Sequence, residues 1–139
     1  MKKVSFLVVA VVTFGVGVPL TTKPVLAHHA FAAEYAALKK VTLKGTIVKM
    51  DWVNPHSWLY IDVKEPDGET VTWALEFGPP QALYKRGWRK ENLPVGEEVT
   101  VEAYLAKNGS RTANARNVVL ADGRNLFAGS SGTGAPDDK

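Results

Sequence analysis

The sequence predicts a small all-β domain with one short helix: a five-stranded, OB-fold-like antiparallel barrel. Apolar and polar residues alternate at period two through five segments, the pattern of strands buried on one face. The alternation breaks once, between the third and fourth segments, where helix signals stand. The first segment also changes parity midway, as a strand does when it bends to serve two sides of a barrel. Strand, strand, strand, helix, strand, strand with a bent first strand is the order of an OB-fold; a sandwich of similar strand count is the alternative.

The first strand is expected from about Val41 to Trp52, with Val41, Leu43 and Ile47 on one face and Val48, Met50 and Trp52 on the other parity. Gly45 lies near the switch and adds to the expectation of a bulge. The second strand, Ser57 to Lys64, turns Leu59, Ile61 and Val63 inward and Trp58, Tyr60 and Asp62 outward. Pro66-Asp67-Gly68 is turn chemistry, so Thr70 to Phe77 returns as a hairpin partner with Val71, Trp73, Leu75 and Phe77 in register. Pro79-Pro80 followed by Gly87 brackets about two helical turns. Glu97 to Leu105 and Thr112 to Leu120, joined by Asn108-Gly109, complete the set, with Asn114 and Arg116 on an outward polar face.

The ends read differently. Lys2 and Lys3, an apolar run to about Leu20 and a polar stretch ending Val25-Leu26-Ala27 have the organisation of a secretory signal peptide over residues 1–27. The apolar run is too short and too rich in glycine and proline for a spanning helix, so cleavage is expected rather than anchoring. The mature domain is then residues 28–128. From Gly129 to Lys139 no apolar residue exceeds alanine, which predicts a disordered tail.

Cleavage alters the charge. The full chain carries 17 basic and 14 acidic residues. Lys2, Lys3 and Lys23 leave with the leader, so the mature chain is formally neutral and lacks the basic footprint of a nucleic-acid partner. There is no cysteine, so no disulfide supports the fold and no lipid anchor follows the leader. The expected location is the periplasm or the cell exterior, with no membrane association after cleavage.

Several motifs carry a resemblance. His28-His29-Ala30-Phe31-Ala32-Ala33-Glu34-Tyr35, Thr42-Leu43-Lys44-Gly45-Thr46, Asn54-Pro55-His56-Ser57-Trp58, Arg86-Gly87-Trp88 and Thr112-Ala113-Asn114-Ala115-Arg116 resemble an uncharacterised family of small exported bacterial proteins, a domain of unknown function. The resemblance would cover nearly all of residues 28–131. It implies a small periplasmic β domain and supplies no activity.

The three histidines carry the sharpest functional expectation. A cut after Ala27 makes His28 the new amino terminus, where the α-amine and the imidazole Nδ1 can chelate one ion. A third nitrogen from His56 would complete a planar set similar to a histidine brace, which suits Cu(II). His29 offers another planar mode through its amide and imidazole with the terminal amine. A bland reading stands beside these, in which two histidines after a cut are a flexible polar start. A later cut at Ala30-Phe31-Ala32 would discard both. Phe31, Tyr35 and Leu38 are spaced for a short amphipathic helix that would carry His28 to the barrel rim.

Asn54 and Pro55 form the turn before His56, at the barrel end where OB-folds bind ligands. Trp52, Asn54, Trp58 and Tyr60 are therefore candidate ligand-binding residues, although tryptophans in small β domains commonly serve packing. Arg86-Gly87-Trp88-Arg89-Lys90 reads as the solvated end of the helix, its cations complementing the helix dipole. Asp51, His56 and Ser57 superficially resemble an acid, base and nucleophile, but adjacent strand residues point oppositely. No nucleophile elbow, phosphate loop or zinc-protease motif is present. The expectation is a binding protein: either a copper binder using His28 with His29 or His56, or a metal-free module taking a protein, glycan or small ligand on an aromatic rim.

Overall fold

The computed structural model describes residues 31–129; the expected leader, His28, His29 and residues 130–139 of the expected tail lie outside them. After a helical turn at residues 31–34, the described part holds β1 (Tyr35–Asp51), β2 (Trp58–Lys64), β3 (Thr70–Glu76), α1 (Pro80–Lys85), the 3-10 turn Lys90–Asn92, β4 (Glu98–Ala106), β5 (Thr112–Val119) and β6 (Asn125–Phe127). The strands lie in the order β3-β2-β1-β4-β5-β6. A short parallel pairing of Ala74, Leu75 and Glu76 with Thr112, Ala113 and Asn114 joins β3 to β5 and closes the ring. This is the expected OB-type barrel.

β1 does the work of two strands. Its first half pairs with β4, from Lys40 opposite Tyr104 to Thr46 opposite Glu98, and its second half pairs with β2. The parity switch read from the sequence is a bulge: Ile47 faces Ile61 and Lys49 faces Tyr60, leaving Val48 as the extra residue. Leu43 and Ile47 are buried ahead of it, while Met50 and Trp52 pack against the same core beyond it. Gly45 lies where β1 is paired on both edges, and a Cβ there would stand 2.5 Å from the backbone oxygen of Asp62. The obstacle is backbone and cannot rotate away. Gly45→Ala is expected to lower stability by about 1–3 kcal/mol in chemical denaturation, the usual cost of overpacking; an unchanged midpoint would show that the two strands can separate there freely.

The interior is apolar and continuous, from Leu59, Ile61 and Leu75 on the hairpin to Val99, Val101 and Val118 on β4 and β5. Helix α1 closes one end of it with Leu83. The helix stops in a Schellman arrangement: Gly87 takes φ +93°, its N–H donates to the carbonyl of Tyr84, and the N–H of Trp88 donates to that of Leu83. The reversal turns Trp88 into the core, where it is fully buried, tilted against Phe77 at 5.5 Å, and donates from Nε1 to the carbonyl of Phe127 at 2.8 Å. The expectation of a solvated helix end holds for Arg89, whose guanidinium donates to the carbonyl of Tyr84. It fails for Trp88, because the αL glycine folds the chain back over the barrel.

Three further expectations are corrected. Residues 31–34 make a helical turn, but the chain is strand from Tyr35 onward, so no amphipathic helix spans Phe31 to Leu38. Tyr35 is buried, and Leu38 is 98% exposed in a wide irregularity between the pairs Tyr35–Ala106 and Lys40–Tyr104. The short β6 adds a sixth strand on the free edge of β5. The chain also stays packed through Gly129, whose carbonyl accepts from Nη1 of Arg86 at 2.9 Å, one residue into the expected tail. Among the described residues no helix is long and apolar enough to cross a membrane.

Candidate functional site

The polar centre of the molecule lies on the outside of the closing seam. Glu76, the last residue of β3, is on the outward parity of its strand, opposite Trp58 on β2 and Asn114 on β5. It is nevertheless buried, with 5% of its surface exposed. Two side chains cover it. His56, in the loop ahead of β2, sets Nδ1 against Oε1 of Glu76, and Tyr35, at the start of β1, donates its hydroxyl to Oε2. The imidazole remains partly open to solvent.

Tyr35 reaches this position because the amino-terminal segment is tied across the end of β4. The N–H of Lys107 donates to the carbonyl of Glu34 at 2.9 Å, and the Lys107 ammonium donates to that of Ala32. Phe31 stacks on Tyr35 at 5.7 Å and meets Tyr104 edge-on at 5.4 Å. Burial pushes the Tyr35 phenol well above its ordinary value, and the hydrogen bond to Glu76 and the charge of that carboxylate push it further. Tyr104 in turn accepts from Nη1 of Arg116 at 3.1 Å. Beside it runs a groove between β1, β4 and β5 lined by Lys40, Thr42, Glu102, Tyr104 and Arg116.

Asn114 departs from expectation. Its parity placed it on an outward polar face, yet it is 3% exposed and its Oδ1 has no hydrogen-bond partner among the described residues. On the outer surface of the seam Tyr35 lies against Glu76, the neighbour of Asn114 across the β3–β5 pairing, a contact that strand periodicity does not register. Glu76 was missed for the same reason: it follows Leu75 as an ordinary outward carboxylate, and nothing local marks it as buried. His56 was singled out from its place beside Asn54-Pro55, a cis peptide.

The candidate aromatic residues do not form one open patch. Trp52 stacks on Tyr84 at 5.4 Å with the rings 6° apart, so one face is taken. Lys49 lies over the ring of Tyr60 at 5.5 Å. Trp58 is half-buried between Asp51 and Glu76 in the sheet, and of this group it stands nearest to His56 in the chain. Asn54 is exposed in the loop. Asp51 pairs with Lys49 at 2.7 Å, and the buried Ser57 Oγ has no hydrogen-bond partner among the described residues, so Asp51, His56 and Ser57 form no triad. Among the described residues no three His, Asp or Glu side chains converge to hold a metal.

A family model described as a family of unknown function (DUF6152) matches residues 18–115. The chain belongs to this family. The DUF6152 match takes in His28, His29, Tyr35, His56 and Glu76; it starts earlier and stops sooner than the span of 28–131 expected from the motifs. No curated protein matches the chain. Among solved structures it is similar to the mitochondrial single-stranded DNA binding protein Rim1 of S. cerevisiae, at 19% identity and a TM-score of 0.44 over 63% of this chain and 94% of that one.

Proposed function

We propose that this DUF6152 member is a small exported binding protein of the periplasm or cell exterior that binds Cu(II) through His28 at its mature amino terminus together with His56, or with His29 in the alternative planar mode. The observation that carries this reading is the shared carboxylate of Glu76, which links His56 to Tyr35 and hence to the segment leading back to the histidine pair. Only Ala30 separates His29 from Phe31, a reach of at most about 7 Å over two residue steps, and His28 adds one step more. Phe31 itself packs on Tyr35. This short tether ties the terminal amine and imidazole to Phe31 and Tyr35, and the Tyr35 hydroxyl shares Glu76 with His56. An imidazole whose other nitrogen is held by a carboxylate is the usual form of a histidine ligand.

The reading is tested by expressing the precursor with its own leader, establishing the mature terminus by mass spectrometry, and titrating Cu(II) into that protein and into one extended by a residue before His28. The extension is expected to weaken binding by at least on the order of 100-fold, or about 2.7 kcal/mol. Indifference to the extension would exclude the His28 amine. Binding no tighter than that of generic surface sites would remove copper altogether and leave the metal-free alternative at Trp58 and its neighbours.

A further inference from the structure

We propose that Glu76 is a positioning residue for His56: its buried carboxylate, braced from the other side by Tyr35, keeps the neutral imidazole protonated on Nδ1 and presents the Nε2 lone pair outward as the metal-binding nitrogen. The metal in this statement rests on the copper reading above; the tautomer does not.

The inference follows from what each group can donate. An ionised carboxylate only accepts hydrogen bonds. Glu76 has one oxygen against His56 Nδ1 and the other against the Tyr35 hydroxyl, so both partners must bring a proton. The opposite imidazole tautomer would aim the Nδ1 lone pair at a buried anion, where low polarity strengthens the repulsion. Neither partner is free to drift away. Tyr35 is 3% exposed and stacked on Phe31, and the chain on the far side of His56 is held by reciprocal backbone bonds of Ser57 with Gly78 and Phe77. A neutral imidazole protonated at Nδ1 has its lone pair on Nε2, at the part of the ring away from Glu76. A carboxylate on the far nitrogen also raises the donor strength of the near one, so Glu76 both orients and strengthens the ligand.

The test uses the mature chain with 15N-labelled histidine, metal-free, at a pH where the imidazoles are neutral; His56 is assigned by loss of its signals in His56→Asn. Wild type is expected to show His56 protonated on Nδ1. In Glu76→Gln, whose amide can either donate or accept, the tautomer should move toward the Nε2-protonated form and Cu(II) affinity should fall about 10- to 100-fold. A wild-type His56 protonated on Nε2 overturns the inference whatever copper does. A Glu76→Gln protein that keeps both the tautomer and the affinity overturns it equally. If that variant fails to fold, the wild-type spectrum alone decides. An Nδ1-protonated His56 in a protein that does not bind copper supports the tautomer assignment and sinks the copper reading, so the two fail separately.

Discussion

Trp88→Ala is expected to lower the stability of the domain by about 3–5 kcal/mol, the range for emptying a buried aromatic site. The indole is fully buried, touches Phe77 and satisfies the carbonyl of Phe127, so its loss combines a cavity with an orphaned acceptor. The site has little freedom to collapse, because the Schellman turn at Gly87 fixes the backbone on one side and β6 fixes it on the other. Total stability of a domain this size is typically 5–15 kcal/mol, so the variant should unfold at a far lower denaturant concentration or fail to accumulate folded at all. Trp88→Phe retains most of the volume and should lose less. Urea titrations of the two variants check this; a Trp88→Ala midpoint close to wild type would mean that the indole is not a keystone of the core.

Alkaline pH is expected to destabilise the protein through Tyr35. The folded phenol is held protonated well above its ordinary value, chiefly by burial and then by the hydrogen bond and charge of Glu76. In the unfolded chain it ionises near pH 10. Below that pH its contribution is fully present. As pH rises past it, the unfolded chain releases a proton that the folded chain keeps, so the contribution is lost, with a slope approaching about 1.4 kcal/mol per pH unit. Tyr35→Phe isolates the effect from other alkaline titrations. The variant should be less stable than wild type at neutral pH by about 1.5–3 kcal/mol, the worth of a hydrogen bond to a charged group, and the gap should narrow above pH 10. A gap that stays constant to the highest workable pH would contradict the assignment of a retained proton to Tyr35.

Much of the barrel was legible because its signals are local. Leu59, Ile61 and Val63 face Leu75, Trp73 and Val71 across a hairpin whose turn residues announce it. The bulge at Val48 is written as a change of parity, and α1 is bracketed by Pro79-Pro80 and Gly87. The misses share one cause, that periodicity reports which residues share a face but not what covers it. Glu76 and Asn114 face outward from their strands and are still buried, Glu76 because Tyr35 and His56 lie against its carboxylate. Trp88 sits among cations in sequence and in the core in space, because a single αL glycine reverses the chain. β6 is three residues long, too short for alternation to be seen. At the candidate site, one of two members with a buried or half-buried ionisable ring, His56, could be picked from its turn, while its anionic partner could not.

The parallel pairing of β3 with β5 has a kinetic meaning as well. It is the contact that converts a curved sheet into a ring, and it brings together strands separated in the chain by α1 and the whole of β4. Pairings of that range are late and slow to form because the intervening chain must be ordered before they return any energy. Glu76 and Asn114 lie on that seam, so the hairpin alone sets Glu76 near His56 but the full burial of its carboxylate waits on the closing of the ring. A half-folded chain would carry all its histidines and still leave the Glu76 carboxylate open to water, which makes the burial of that carboxylate beside His56 a reporter of completed folding.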